Sequence, residues 1–145
     1  MKVVIIDAQG GGVGRMLITR LKEAVPSQPL IALGTNASAT AAMIKAGADQ
    51  GATGENAIRV TASQADLILA PIGILLCDGI LGEVTDAMVC AVGRSAAHKI
   101  LIPSSRCGIS VAGTSPQPLS EYINDAARMA ADWILQSRSS AEMET

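Results

Sequence analysis

Residues 3–17 read VVIIDAQGGGVGRML, and this stretch decides the fold. The apolar run at its start predicts a buried strand, and the apolar residues after Gly14 recur at helical spacing. Glycines between the two allow close approach to a ligand, and the N-terminus of a helix offers unpaired N–H groups with partial positive charge. We therefore expect a phosphate cradle that binds a nucleotide or dinucleotide through Gln9, Gly10, Gly11, Gly12, Val13, Gly14 and Arg15.

The cradle matches no established fingerprint completely. A G-x-G-x-x-G pattern that starts at Gly10 needs a third glycine where Arg15 stands. Gly12-Val13-Gly14 resembles the loop of short-chain dehydrogenases, but Asp7-Ala8 replaces the Thr-Gly of that family. The phosphate loop of ATPases ends in Lys, which contacts the phosphates, and Ser or Thr, which binds Mg²⁺. Arg15 and Met16 occupy these two positions here. Because Met cannot ligate Mg²⁺, ATP hydrolysis is disfavoured. A glycine-rich turn that binds nothing stays open as the alternative.

Length, charge and composition exclude several classes of protein. The 145 residues suit one domain, assigned here as residues 1–137, with a flexible polar tail at 138–145. A net charge of −2 with scattered Lys and Arg, and with two aromatic residues in all, argues against nucleic acid as a partner. The sequence shows no leader and no apolar run long enough to span a bilayer, so we expect a cytoplasmic protein without a membrane partner.

Apolar runs alternate with helical patterns along the whole chain. Further strands are predicted at residues 30–33, near 50, at 66–70 and at 99–103, with a last edge strand at 109–112. The second helix is predicted to begin at Asn36 or Ser38 and to end at Gly47. Another helix is predicted from about Thr85, its cap, to Arg94, with these residues facing inward: Ala87, Val89 or Cys90, and Ala91. A long helix is predicted to begin at Gln117-Pro118, with one apolar stripe formed by Leu119, Ile123, Ala126, Ala130 and Ile134. This order predicts an α/β fold with one Rossmann-like, doubly wound parallel sheet and helices on both faces, whose site lies at the carboxyl ends of the strands.

Two of those strand ends supply further candidates for cofactor binding. The second strand ends without the acid that usually binds ribose hydroxyls in nicotinamide-binding folds, and Thr35 and Asn36 stand there instead. Their side chains can hydrogen-bond a phosphate or a base, although capping of the next helix explains them equally well. Pro71 and Gly73 follow the fourth strand and are expected to line the same site.

Three residues are candidates for chemistry. Asp7 ends the first strand, where it would hold a divalent ion or, equally, accept hydrogen bonds from the loop beside it. Glu55 is expected on a glycine-bounded loop as a general base or a ribose ligand, with helix capping as the alternative. Cys107 follows the fifth strand and could meet Cys77, although free cysteines are commonly buried hydrophobes. The only histidine, His98, has no partner in sequence, so no metal site is predicted.

Seven short motifs carry a resemblance that covers nearly the whole chain. The sequence resembles a family of short uncharacterised proteins of anaerobic bacteria, a domain of unknown function, in IDAQGGGVG at 6–14, ALGTN at 32–36, KAGAD at 45–49, GATGENAI at 51–58, PIGI at 71–74, LGEVT at 81–85 and IPSSRC at 102–107. The resemblance implies a Rossmann-like single domain and implies no activity.

The sequence thus favours a small domain that binds a nucleotide, with NAD(P) among the candidates, as an oxidoreductase subunit or a ligand sensor. It leaves open whether any reaction is catalysed. The alternative is a structural homo-oligomer whose glycines serve packing only. We also expect a homodimer, because apolar residues crowd into a segment that glycine and aspartate keep from being a regular strand: Ile72, Ile74, Leu75, Leu76, Ile80 and Leu81.

Overall fold

The computed structural model describes residues 1–145, apart from the side chain of Ser105. Strands and helices alternate, and two short 3-10 turns, Ile72–Leu75 and Ser105–Cys107, follow the fourth and fifth strands. The order along the chain is β1 (Val3–Asp7), α1 (Gly12–Ala24), β2 (Leu30–Gly34), α2 (Ala37–Lys45), β3 (Gln50–Thr53), α3 (Glu55–Ala62), β4 (Leu67–Pro71), α4 (Asp86–Arg94), β5 (His98–Ile102) and α5 (Leu119–Met143).

The five strands form one parallel sheet with the order β3-β2-β1-β4-β5. Strand β1 is central and all five of its residues are buried, as the apolar run predicts for a strand covered on both faces. The chain leaves β1 in one direction toward β2 and β3, and later returns to add β4 and β5 on the other side. The α/β fold with a Rossmann-like doubly wound sheet is therefore confirmed.

Helices cover both faces of the sheet because side chains of a strand alternate between its two faces. Val3 and Ile5 of β1 belong to one core cluster with buried residues of α1, α2 and α5. Val4 and Ile6 belong to a second cluster with buried residues of α3 and α4. Each face of the central strand thus has its own hydrophobic core.

Local capping signals set several helix boundaries as predicted. The Asn36 side chain accepts a hydrogen bond from the Ala39 N–H at 2.9 Å and begins α2. Gly47, with a φ of 121°, follows the end of that helix. The Thr85 side chain accepts a hydrogen bond from the Met88 N–H at 3.2 Å and begins α4.

Three predicted features between β3 and the end of α4 differ from the structure. Helix α3 begins at Glu55, so the glycine-bounded loop expected there is limited to Gly54. The buried side chains of α4 are Met88 and Val92. The inward-facing residues predicted from the sequence were different ones, namely Ala87, Val89 or Cys90, and Ala91. The predicted apolar patch is largely absorbed, since Ile74 is fully buried and only Leu81, 93% exposed, faces solvent freely.

The last third of the chain also differs. Residues 109–112 form no strand, because β5 ends the sheet at its edge and the chain then crosses to α5. Helix α5 uses the predicted stripe from Ile123 to Ile134, although Leu119 at its start is half exposed. Residues 138–143, assigned from the sequence to a polar tail, form the last turns of this helix, where Arg138 is half-buried and donates hydrogen bonds to Ser27 and Gln28. None of the described helices is long and apolar enough to cross a membrane.

Candidate functional site

The candidate site lies where the strand order reverses, at the carboxyl ends of β1, β2 and β4. Strand β1 has β2 on one side and β4 on the other, and the chain leaves these two neighbours in opposite directions. Ligands of open α/β sheets bind in the crevice at this switch point. The glycine-rich segment, residues 8–14, follows β1 there and runs into the first turn of α1.

Two glycines of this segment are required by packing. Gly11 has a φ of 72°, and an added Cβ would lie 2.8 Å from the Ala39 carbonyl oxygen of α2. An added Cβ on Gly14 would overlap the Met43 sulfur and lie 3.0 Å from the Asp7 Cβ. Gly14 therefore serves the close helix-to-strand contact that the third glycine serves in dinucleotide-binding folds. These two glycines hold α1 against β1 and α2.

Gly10 and Gly12 are different, because nothing in the fold requires glycine there. Neither has a φ in the left-handed region, and a Cβ added to either would meet no atom within 4 Å. Both residues are exposed, and their N–H groups have no hydrogen-bond partner among the described residues. The space above them is therefore open to a group that comes close to the backbone.

Asp7 uses the other N–H groups of the segment. Its carboxylate is buried and accepts hydrogen bonds from the Ala8 N–H at 2.8 Å and the Gly14 N–H at 2.7 Å, and the Val13 N–H lies near it. Burial raises the pKa of the Asp7 carboxyl, these N–H groups lower it, and the charge of Glu83 raises it further. Asp7 thus organises the loop, which is the second of the two roles foreseen for it.

The side chains at the end of β2 converge on a residue that was not predicted, Glu83. Its Oε1 accepts hydrogen bonds from Asn36 Nδ2 at 2.6 Å, from Thr35 Oγ1 at 2.9 Å and from the Gln9 N–H at 3.0 Å. Asn36 Nδ2 also donates to the Gln9 carbonyl at 3.0 Å. Thr35 and Asn36 therefore hold a carboxylate at the candidate site, in addition to the cap that Asn36 provides for α2.

Glu83 is ionised at neutral pH. Burial by itself would raise the pKa of its carboxyl, but the hydrogen bonds from Gln9, Asn36 and Thr35 together hold that pKa below its ordinary value. The charged carboxylate bridges the loop after β1 and the end of β2.

Glu83 comes from the β4–α4 loop, defined here as residues 76–85, which is held in a strained conformation. Asp78, Ile80 and Leu81 all have φ between 53° and 59°, a region that is costly for residues with side chains and most of all for Ile. Hydrogen bonds from Asp78 N–H to Val84 O at 2.8 Å and from Val84 N–H to Gly79 O at 3.2 Å close the loop. These hydrogen bonds hold the loop in its strained conformation. Strained backbone of this kind occurs most often at functional sites.

The end of β4 contributes backbone and packing. Pro71 is the last residue of β4 and half-buried, and Gly73 is buried in the 3-10 turn that follows. An added Cβ on Gly73 would lie 3.1 Å from Ile80 Cγ1 and 3.5 Å from the Cys107 sulfur. Gly73 thus lets the β4–α4 loop and the segment after β5 pack together.

The remaining candidates lie around this centre. Cys107 is a half-buried free thiol beside Gly73, whereas Cys77 is exposed and has Asp86 as its neighbour, which raises the pKa of its thiol. Glu55 is the exposed first residue of α3 at the end of the edge strand β3, with β2 between that strand and β1. As an acid in the first turn it suits the helix dipole.

Arg15 lies one turn into α1 and is exposed. It lines a groove of about 410 Å³ between α1 and α2, together with Thr19 and Lys45. A second groove, of about 700 Å³, lies between α3 and α4 and contains Arg59 and Arg94. None of the candidate residues lines the second groove. The candidate site is therefore the region around Gly10, Gly12, Asp7 and Glu83. The described residues contain no group of three or more His, Cys, Asp or Glu side chains that could hold a metal ion.

The chain belongs to the family described as a domain of unknown function, DUF3842, whose profile matches residues 2–134. This family assignment agrees with the expected resemblance to a family of uncharacterised proteins. No curated protein and no solved structure matches the chain.

Proposed function

We propose that this protein binds a nucleotide or dinucleotide at the carboxyl ends of β1, β2 and β4, with the phosphates above Gly10 and Gly12. The observation that carries the proposal is the pair of glycines that the fold does not need. Gly93 of α4 also has an ordinary φ and an open Cβ position, but Gly10 and Gly12 combine these features with N–H groups that have no hydrogen-bond partner among the described residues. Because glycine costs conformational entropy on folding, this combination suits a site that a ligand approaches closely. Their two free N–H groups are donors for phosphate oxygens.

The charges around the site favour a ligand that is more than a bare phosphate. Asp7 already occupies the N–H groups of Ala8 and Gly14, and Glu83 occupies that of Gln9, so fewer donors are left than in a full phosphate cradle. Two carboxylates would repel a highly charged anion, whereas hydroxyl and base N–H groups can donate to them. A nucleotide or a dinucleotide such as NAD(P) supplies phosphate and hydroxyl groups together.

The competing proposal is a structural homo-oligomer in which the glycines serve packing only. Packing explains Gly11 and Gly14, whose added Cβ atoms would collide with α2 or β1. It does not explain Gly10 and Gly12. The two proposals therefore differ in what a side chain at Gly12 does.

Thermal denaturation of the full chain in the presence of millimolar ADP, GDP, NAD+ and NADP+ tests the proposal. A ligand at a hundredfold excess over its Kd stabilises the folded state by about 2.7 kcal/mol. We expect Gly12→Val to abolish this stabilisation and to keep the circular dichroism spectrum, because its Cβ enters only the open space. Gly93→Val, on the exposed side of α4 with an equally open Cβ position, is the matched control and should retain binding. A wild type that none of these nucleotides stabilises, or a Gly12→Val variant with unchanged binding, would refute the proposal.

A further inference from the structure

Glu83 stands where the sheet lacks an acid of its own. In dinucleotide-binding folds the acid for the ribose hydroxyls comes from the end of the second strand. Here β2 ends in Gly34, and the two residues after it, Thr35 and Asn36, direct their polar groups to the Glu83 carboxylate. The carboxylate thus reaches the end of β2 from the loop before α4 instead of from β2 itself.

The two oxygens of Glu83 have different roles. Oε1 accepts all three of the hydrogen bonds from Gln9, Thr35 and Asn36. Oε2 has no hydrogen-bond partner within the part of the chain that the structure describes, and the residue is partly exposed. One oxygen therefore fixes the side chain, while the other stays available as an acceptor.

The position of this carboxylate is set by its neighbours in sequence. Val84 is fully buried in the second core cluster, and Thr85 caps α4. Glu83 is therefore attached to a segment that is anchored on both the core and a helix. Such an acceptor loses little freedom when a ligand binds, which is the advantage of a preorganised site.

On the premise of the nucleotide-binding function proposed above, we propose that Glu83 recognises the ribose and selects a ribose with free hydroxyl groups. Oε2 accepts a hydrogen bond from the 2′-hydroxyl, while the phosphates lie above Gly10 and Gly12. The ligand is then a ribonucleotide, or NAD+ in preference to NADP+.

Charge explains why a 2′-phosphate is rejected. The Glu83 carboxylate would face it directly, and the buried Asp7 carboxyl lies close enough for Glu83 to act on its pKa. A 2′-phosphate would therefore add charge of the same sign to a site with two carboxyl groups. A deoxyribose is rejected for a different reason, because it lacks the donor that the charged acceptor requires.

Calorimetric titration of four ligand pairs in the wild type and in Glu83→Gln tests this inference. Glutamine keeps an oxygen for the three donors and replaces only the free oxygen by an NH2 group, so the fold should persist. We expect the wild type to bind ADP over 2′-deoxy-ADP, GDP over 2′-deoxy-GDP and NAD+ over NADP+ by about tenfold to a hundredfold, the size of a hydrogen bond to a charged group. Glu83→Gln should reduce each ratio to near one. The fourth pair, adenosine and 2′-deoxyadenosine, measures the same preference for ribose without any phosphate.

Controls separate this inference from the proposal on which it rests. Glu121→Gln removes an equal charge from an exposed position in the first turn of α5 and should leave every ratio unchanged. If the wild type binds ribo- and deoxyribonucleotides equally and Glu83→Gln changes nothing, the ribose role is wrong while nucleotide binding stands. If Glu83→Gln and Glu83→Ala both bind all nucleotides more tightly, Glu83 is a group that the ligand displaces, and the inference is also wrong. A wild type that binds none of the ligands overturns both proposals.

Discussion

Adding one methyl group at Gly11 or at Gly10 should change stability in opposite directions, although the two residues are adjacent. Gly11 has a φ of 72°, and its added Cβ would lie 2.8 Å from Ala39 O and 3.0 Å from Ala39 Cα. Both atoms belong to the backbone of α2 and cannot rotate away. At Gly10 the φ lies outside the left-handed region, and the added Cβ would meet nothing within 4 Å.

The magnitudes follow from these contacts. For Gly11→Ala the left-handed φ costs about 1–2 kcal/mol and the forced separation of α1 and α2 about 1–3 kcal/mol more, a total of about 2–5 kcal/mol. For a domain of this size that loss lowers the Tm by about 5–20 °C. Gly10→Ala instead stabilises the fold by about 0.4–1 kcal/mol, because alanine reduces the freedom of the unfolded chain.

Urea denaturation followed by circular dichroism measures both variants against the wild type. The expected result is a lower midpoint for Gly11→Ala and a slightly higher one for Gly10→Ala, with the same slope for all three proteins. Equal midpoints for the two variants, or a large loss for Gly10→Ala, would refute the division of this segment into packing glycines and ligand-facing glycines.

The remaining predictions concern pH and association. Hydrogen bonds from Lys22 and from the Leu30 N–H lower the pKa of the Asp49 carboxyl in the folded protein. The stability that Asp49 contributes is therefore present above 3.8, the ordinary pKa of this group in the unfolded chain, and is lost as the pH falls below that value. Urea midpoints of wild type and Asp49→Asn should therefore differ at pH 7 and converge as the pH falls below that value; a constant difference would contradict this. The homodimer stays a prediction, and Leu81, 93% exposed, is the residue of the predicted patch that remains free for it, so Leu81→Asp should dissociate the dimer, whereas Leu75 packs against the core. Light scattering at micromolar concentrations measures this, and a monomeric mass for the wild type would contradict it.

The sequence alone was sufficient for the alternation of strands and helices and for the parallel sheet. Those features depend on the spacing of apolar residues over a few turns, and on caps such as Asn36 and Thr85 that act within three residues. It was less reliable where two local signals competed. Gly54 indicated a loop around Glu55, but the apolar and acidic pattern after it forms α3. The polar residues after Ser137 indicated a tail, but they continue α5.

The sequence by itself therefore determined the class of fold and the segment that begins the site, because both are written in contiguous residues. Only the tertiary structure decided which glycines the fold requires, since that depends on the approach of α2 to Gly11 and of Met43 to Gly14. It alone also brought Glu83 to Gln9, Thr35 and Asn36, across separations of 74, 48 and 47 residues. No local pattern encodes such a contact, because a parallel sheet joins the ends of strands that are distant along the chain.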